Sequence, residues 1–291
     1  EYNFSTTVTT AAAWASGGNL STARAYVGSA GTQTAALCFG GTPPQGLNTN
    51  IYNGSSWTTA PAMNTSRDNF IGCGVQTAAL AAGGYSASAG TGTNAAETWN
   101  GSTWTNIPSL NTARYSAATM GTTTAALVSA GAGPGSPVET ISEEYNGSSW
   151  TSGGSLSSPR GGAGGAGTQT AGLSFGGGGP QLETSSYDGS SWTNLAAMNR
   201  SFGSGAGTGI QTAALAAAGG PSSVHSQAET WDGSSWITSV SLATGRTFLG
   251  RGGTTSAAIV FGGSTPGGVI SATEEYNAET TAVNVQTLTT S

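Results

Sequence analysis

Short apolar runs alternate with glycine- and serine-rich segments along the whole chain, and large aromatic residues recur at a regular spacing. One six-residue pattern, from an aromatic through Asn-Gly or Asp-Gly to tryptophan, occurs at Tyr52–Trp57, Trp99–Trp104, Tyr145–Trp150, Tyr187–Trp192 and Trp231–Trp236. Its final tryptophan recurs at Trp14, and successive tryptophans are 42 to 47 residues apart. Self-similarity at a fixed period of this length indicates a repeat architecture.

Two further features accompany each repeat. An arginine follows each tryptophan, at Arg24, Arg67, Arg114, Arg160, Arg200 and Arg246. A segment similar to Gly-Thr-Gln-Thr-Ala-Ala-Leu (residues 31–37) comes next and ends in Gly-Gly or Ala-Gly. Turn residues at such short intervals favour many short strands over helices.

Each repeat therefore predicts four short strands. The segment after the arginine is the first strand, and residues such as Ala35–Phe39 form the second. The third strand carries an acidic residue and the first aromatic, as in Glu144-Tyr145, and the fourth begins at the tryptophan. Asn-Gly between the last two strands is a strong hairpin signal, because both residues tolerate a positive φ.

The repeated Gly-Gly, aromatic, tryptophan and arginine resemble the kelch repeat from about Trp14 to Asn277. The resemblance implies an all-β fold, a six-bladed β-propeller with four antiparallel strands in each blade. A single blade cannot bury both faces, whereas a closed ring supplies neighbours on each side. A seven-bladed ring is the less favoured alternative.

The boundaries follow from the repeat. One domain over residues 1–291 contains blade units at about 24–60, 67–107, 114–153, 160–195, 200–239 and 246–277 plus 10–18. The last unit lacks a tryptophan after Tyr276, so we expect the strand at Trp14 to complete it. Residues 278–291 form a tail rich in Thr and Val, which could pair with the similar segment at the other end or lead into a partner.

Composition excludes several functions. The chain has 7 Lys+Arg against 13 Asp+Glu, a formal net charge of −6. Nucleic-acid binding requires clustered basic residues, so nucleic acid is not an expected partner. No apolar run approaches the length that spans a bilayer, so we expect no membrane insertion.

The connections suggest where recognition could occur. The turns after strands one and three lie on one face of the ring and are nearly identical between repeats. The connections after strand two lie on the other face and vary, at Thr42–Asn50, Tyr85–Ala96, Ala132–Ser142, Gly178–Ser185, Pro221–Gln227 and Ser264–Ala272. Variable loops on a rigid scaffold carry specificity, although drift of unconstrained loops gives the same pattern.

The six repeated arginines have two interpretations. They could form a binding ring for carboxylate or sulfate, since guanidinium groups bind such anions in a bidentate way. The favoured alternative is structural, with each arginine pairing an acid or capping loop carbonyls. Acids on the third strands are available at Glu97, Glu144, Glu183, Glu229 and Glu275.

No catalytic, cofactor or metal site is predicted, and we expect a protein that is not an enzyme. Kelch propellers include galactose oxidase, whose copper site needs two histidines, and this chain has only His225, in a variable loop. The segment Ser186–Trp192 resembles the Asp-box of sialidases superficially but lacks one residue between Asp and Gly. Cys38 and Cys73 are expected to be small buried residues, with a disulfide the less favoured reading.

The near-identical units, the absence of lysine and the Gly-Thr-Gln-Thr-Ala-Ala-Leu segment resemble kelch-like proteins of tailed bacteriophages, which are virion or tail-associated. This resemblance implies a structural or binding protein of a virus particle, on the virion or extracellular. Its expected partners are other virion proteins or a host-surface glycan, with an oligomer possible within an assembly. The alternatives are a secreted bacterial adhesin or carbohydrate-binding module, and a carbohydrate-active enzyme.

Overall fold

The computed structural model describes residues 2–288 apart from 43, 45, 70, 136, 178–181 and 221–223. The predicted fold is confirmed: six four-stranded antiparallel sheets form a β-propeller. Blades one to five each take their four strands from a single repeat. Their strands, in blade order, are Gly28–Gly31, Ala36–Phe39, Thr49–Tyr52 and Trp57–Ala60; Ile71–Val75, Ala78–Ala82, Ala96–Trp99 and Trp104–Ile107; Ala118–Gly121, Ala126–Ser129, Ser142–Tyr145 and Trp150–Gly153; Gly164–Gly167, Gly172–Phe175, Thr184–Tyr187 and Trp192–Leu195; and Ala206–Ile210, Ala213–Ala217, Ala228–Trp231 and Trp236–Ser239.

Blade six closes the ring with strands from both ends of the repeat region. Gly250–Gly253, Ala257–Phe261 and Thr273–Asn277 supply three strands, and Ala13–Gly17 supplies the fourth. Trp14 lies opposite Tyr276 in this sheet, with the two ring centroids 5.1 Å apart. The predicted closure through Trp14 is therefore confirmed.

Small residues and tryptophans make the contacts between blades. Inner strands such as Gly164–Gly167 carry only Gly and Ala, which lets neighbouring backbones approach near the axis. Farther out, Trp104 of blade two packs against Phe39 of blade one, with ring centroids 4.9 Å apart. Aromatic rings bury the most area per residue, so this repeated contact contributes much of the core.

The tryptophan side chains also hydrogen-bond across blades. The indole of Trp104 donates to the hydroxyl of Thr49 at 3.0 Å, and that of Trp236 donates to Thr184 at 2.8 Å. In both cases the acceptor begins the third strand of the preceding blade. A buried indole N–H needs a partner, which Thr or Ser supplies at this position. Where the position holds Ala96 or Ala228, the tryptophan of the next blade donates to a backbone carbonyl instead.

Glutamine in the turn after strand one forms a second cross-blade link. The amide of Gln211 in blade five donates to the carbonyls of Gly172 and Tyr187 in blade four, at 3.1 and 2.7 Å. Gln33, Gln76 and Gln169 make the equivalent pair of bonds to their preceding blades. The recurrence of Gly-Thr-Gln-Thr thus reflects contacts between blades as well as turn geometry.

The predicted Asn-Gly-Ser-Ser hairpin turns are present, but only the glycine adopts a positive φ. In Asn53–Ser56 only Gly54 has a positive φ, of 92°, and the loop has four residues between paired Tyr52 and Trp57. The Asn53 side-chain oxygen accepts from the backbone N–H of Ser55 and Ser56 at 3.0 and 2.9 Å. Asn and Asp favour this local side-chain acceptor, so they are interchangeable here.

Three small sheets lie outside the blades. Tyr2–Thr10 pairs antiparallel with Thr280–Leu288, and this terminal ribbon connects to blade six through residues 11–12 and 278–279. Neither strand of the ribbon makes more than marginal contact with any blade strand. The other two are short hairpins, Tyr85–Ser86 with Thr91–Gly92 and Ser264–Thr265 with Gly268–Val269. No helix in the described part of the chain is long and apolar enough to cross a membrane.

Removal of residues 2–17 tests ring closure. This deletion leaves Thr273–Asn277 as an unpaired edge and removes Trp14 from Tyr276, so we expect the free energy of unfolding to fall by about 3 kcal/mol or more. The control lacks only residues 2–10 and 280–291 and retains the closing strand. It should lose less than about 1 kcal/mol. Equal melting temperatures of the two shortened chains in calorimetry would contradict this account of closure.

Candidate functional site: the channel mouth on the variable face

The six repeated arginines lie within their own blades and do not line the central channel. Five have fully buried guanidinium-bearing side chains, and Arg200 is 17% exposed. In blade three, Arg114 donates to the carbonyls of Ala130 and Ile141 at 3.2 and 3.0 Å. These carbonyls belong to the connection between strands two and three, so each arginine braces that connection.

Four of these arginines face a carboxylate two residues before the strand-three aromatic. The guanidinium of Arg67 lies 3.1 Å from Glu97, and that of Arg114 lies 2.7 Å from Glu143. Arg246 pairs with Glu274, and Arg200 lies 3.8 Å from Glu229. Desolvation lowers the pKa of Arg67 to about 10, and the carboxylate of Glu97 opposes that shift.

Two of the expected acidic partners were wrong. Glu144 and Glu275 immediately precede the aromatic, so strand alternation turns them away from the arginine. Each accepts instead from a tyrosine of the next blade: Tyr187 donates to Glu144, and Tyr52 donates to Glu275 at 2.6 Å. Glu143 and Glu274, one residue earlier, are the partners that the structure shows.

The same carboxylates also cap the incoming loop. Glu143 accepts from the backbone N–H of Asn111 and Thr112, at 2.7 and 3.1 Å. Glu97 accepts equivalently from Asn64 and Thr65. Glu97 and Glu143 are therefore each satisfied by one guanidinium and two amides, the arrangement that a buried charge requires.

Blades one and four depart from this arrangement. Arg24 donates to the amide oxygen of Asn50, which occupies the position of the acid. In blade four Ser185 occupies that position and accepts a hydrogen bond from Arg160. Arg160 also pairs, at 3.0 Å, with Glu183, which lies two residues earlier in the chain than Ser185. The repeated arginine thus keeps its role while its partner changes.

The face that carries the strand two to three connections is called the variable face, and its connections differ in conformation. Blades two and six fold theirs into the short hairpins described above, and blade three contains a single bridge between Ala132 and Val138. The loops predicted at Thr42–Asn50, Ala132–Ser142, Gly178–Ser185 and Pro221–Gln227 lie in part outside the described residues. On the opposite face, the Asn-Gly or Asp-Gly turns share one hydrogen-bonding pattern.

A closed ring of backbone hydrogen bonds surrounds the channel mouth on the variable face. One residue from each blade donates its N–H to the carbonyl of the equivalent residue in the preceding blade, over 2.6 to 2.9 Å. All six have a left-handed backbone, with φ between 51° and 75°. The residues are Tyr26, Asn69, Ser116, Gly162, Ser204 and Phe248. Five of them are not glycine, and such residues adopt this conformation only where the surrounding structure enforces it.

The side chains of this ring give the mouth an aromatic side and a polar side. Tyr26 and Phe248 stack with centroids 3.9 Å apart at an interplanar angle of 20°. Ser116 donates to the side-chain oxygen of Asn69 at 2.8 Å. The mouth therefore presents stacked rings on one side and hydroxyl and amide groups on the other.

Below the mouth, a central cavity of about 170 Å³ runs between the inner strands. Its walls are mostly Gly, Ala, Ser and Thr, and one large charged residue, Arg251, lines both this cavity and the mouth. The sequence analysis missed Arg251 because it follows Arg246 closely and does not recur. Alignment of the inner strands would have identified it, because only blade six has a charged residue at this position. The equivalent positions in the other blades hold Ser29, Gly72, Thr119, Gly165 and Gly207.

The remaining candidate groups do not converge. Cys38 and Cys73 are buried and not joined by a disulfide, and desolvation raises the pKa of their thiols to about 11 and about 12. His225 is partly buried in its loop, where its backbone N–H donates to Gly219. Within the residues described, no three His, Cys, Asp or Glu side chains gather as metal ligands would.

The adjacent residues Glu143 and Glu144 provide a matched test of the arginine pairing. Glu143→Gln leaves the buried Arg114 without a counter-charge, and we expect it to lower the free energy of unfolding by about 3 kcal/mol. Glu144→Gln only weakens one hydrogen bond from Tyr187 and should cost about 1 kcal/mol or less. Urea unfolding of both variants measures the difference. A cost for Glu144→Gln that equals or exceeds that of Glu143→Gln would show that the pairing is misassigned.

Comparison with known proteins supports the fold. No family model and no curated protein matches the sequence. A solved structure titled "Structure of YjhT" superimposes with a TM-score of 0.74, covering 92% of this chain and 99% of that one. The sequence identity is 13%, so the similarity concerns architecture alone. The chain is a six-bladed β-propeller.

Proposed function

We propose that this chain is a non-catalytic binding propeller of the kelch type that belongs to a bacteriophage particle. The variable face would recognise a host-surface glycan or a neighbouring virion protein. The observation that carries the proposal is the contrast between the two faces. One face repeats the same turn, whereas the other surrounds the channel mouth with connections of different conformation.

The bracing of these connections supports a recognition role. Each repeated arginine holds the connection of its blade by hydrogen bonds to its carbonyls, as Arg246 does at Gly262 and Ala272. The loop bases are thereby fixed while their tips differ. Rigid placement of variable segments reduces the entropy lost on binding, which favours a specific surface over drifting loops.

The terminal ribbon supports attachment within an assembly. A two-stranded ribbon is only marginally stable by itself in water. This one also exposes Val8 and Val283, at 50% and 60% of their surface. Both strands present free edges that can pair with a further strand. A neighbouring virion subunit is the partner we propose for it.

A secreted adhesin or carbohydrate-binding module is the alternative, because the same variable face would serve there. A carbohydrate-active enzyme would instead require two carboxylates facing one another across a sugar site, about 5–10 Å apart. Proteomics of purified particles of the encoding virus separates the first two functions. Turnover of a bound glycan would identify the third.

Shortening the blade-two hairpin tests recognition by the variable face. Replacing residues 86–91 by an Asn-Gly turn removes the projecting loop while keeping a favourable hairpin. On a glycan array of bacterial surface polysaccharides, we expect at least a roughly tenfold loss of binding, a difference of about 1.4 kcal/mol. Val75→Ser, an exposed change on the opposite face, is the control and should bind normally.

Two results would count against the proposal. Unchanged binding by the shortened hairpin, with reduced binding by Val75→Ser, would place recognition on the opposite face. Absence of the chain from purified particles would refute its assignment to the virion. Melting temperatures within about 2 °C of the unaltered protein should accompany both variants, since surface changes away from the core alter stability little.

A further inference from the structure

Arg251 differs from the other six arginines in where its side chain lies. The six repeated arginines lie within their blades, against the connections between strands two and three. Arg251 instead belongs to the innermost strand of blade six and lines the axial cavity. The five equivalent positions hold Gly, Ser or Thr. One cation therefore enters a channel whose other walls are short and uncharged.

The guanidinium of Arg251 lacks the partners that satisfy the other six. Its backbone N–H donates to the Ser29 hydroxyl at 3.0 Å. Its side chain makes no hydrogen bond or ion pair with any residue that the structure describes. By contrast, Arg114 has two carbonyls and a carboxylate. A desolvated cation without a counter-charge is unfavourable, so an anion beside Arg251 would relieve a real cost.

The surrounding cavity supplies further hydrogen-bonding groups. The Ser29 hydroxyl accepts from the backbone of Arg251, which leaves its own proton available to a ligand. Thr119, in the blade opposite blade six, lines the same cavity and is 3% exposed, and its hydroxyl has no hydrogen-bond partner in the described part of the chain. A buried hydroxyl without a partner in the protein points to a group that is supplied from outside.

The cavity is large enough for a small oxyanion. Its volume is about 170 Å³. A single water molecule, measured in the same way, requires only about 10–15 Å³. Access runs through the mouth, because Arg251 lines the mouth and the cavity together.

We propose that the central channel is an oxyanion-binding site in which Arg251 holds a carboxylate, sulfate or phosphate group. Arg251 supplies a planar fork of donors that matches such groups in a bidentate way. Ser29 donates a further hydrogen bond from the neighbouring blade. The site does not depend on what the variable loops bind, so an experiment that refutes it would leave the function proposed above unaffected.

Desolvation supports this assignment. Burial in the channel lowers the pKa of Arg251, and the single opposing influence is the Cys73 thiol across the cavity. At neutral pH that thiol is protonated, since desolvation raises its pKa to about 12. Among the residues that the structure describes, Arg251 therefore has no anionic neighbour at neutral pH.

The experiment measures anion binding by thermal shift and calorimetry at constant ionic strength, with chloride replaced stepwise by sulfate, phosphate or acetate. The unaltered protein should show a saturable rise in melting temperature. Arg251→Gly restores the residue found in blades two, four and five, so it should fold normally. It should bind the same anions at least about tenfold more weakly. Arg251→Lys keeps the charge without the fork and should fall between the two.

The anion-free melting temperature adds a readout of opposite sign. Removing a partly buried cation that lacks a counter-charge should leave the melting temperature of Arg251→Gly unchanged or raised. A structural role would instead lower it. Equal anion responses of the unaltered protein and Arg251→Gly, or no response by either, would overturn the proposal.

Two sources of the anionic group are separated by a second arm. Glucuronate and glucose are titrated beside acetate. Binding of glucuronate about tenfold tighter than acetate would identify the acidic group of a saccharide as the occupant. Comparable binding of glucuronate and acetate would identify a free small anion. The side-chain Nε–H resonance of Arg251 in nitrogen-15 spectra should shift on binding in either case.

Discussion

The closed ring of backbone hydrogen bonds at the channel mouth is the constraint on which the other contacts depend. Each bond joins a residue of one blade to its counterpart in the preceding blade, and the last bond returns to the first, from Tyr26 to Phe248. The indole and glutamine links run between the same neighbours. A cyclic arrangement leaves no blade with an unsatisfied side, whereas an open stack of the same units would expose two.

The sequence predicted the fold well because the propeller depends on local, repeated signals. The period gave the number of blades, and the missing tryptophan after Tyr276 gave the closing strand at Trp14. Register within a strand was harder. Glu143 and Glu144 are adjacent acids that face opposite ways, and only the contact between Arg114 and Glu143 shows which one meets the arginine.

The candidate site was much less accessible to sequence reasoning. A left-handed backbone at Tyr26 and Phe248 contradicts the local preference of both residues, because ring closure imposes it. Attention to repeated residues also hid Arg251, whose importance lies in its departure from the repeat. In a protein of near-identical units, recurring residues mostly maintain architecture, and the exceptional residue is the better indicator of chemistry.

Arg251 also makes the six blades unequal as seen from the axis. Without Arg251, a ligand in the channel would meet almost the same residues in each of the six blades. A single charge on one blade favours one orientation of a bound anionic group about the axis over the other five. A partner that carries a negative group and approaches along the axis would consequently bind in one rotational orientation. A nearly six-fold symmetric propeller could in this way hold an asymmetric partner in a single orientation.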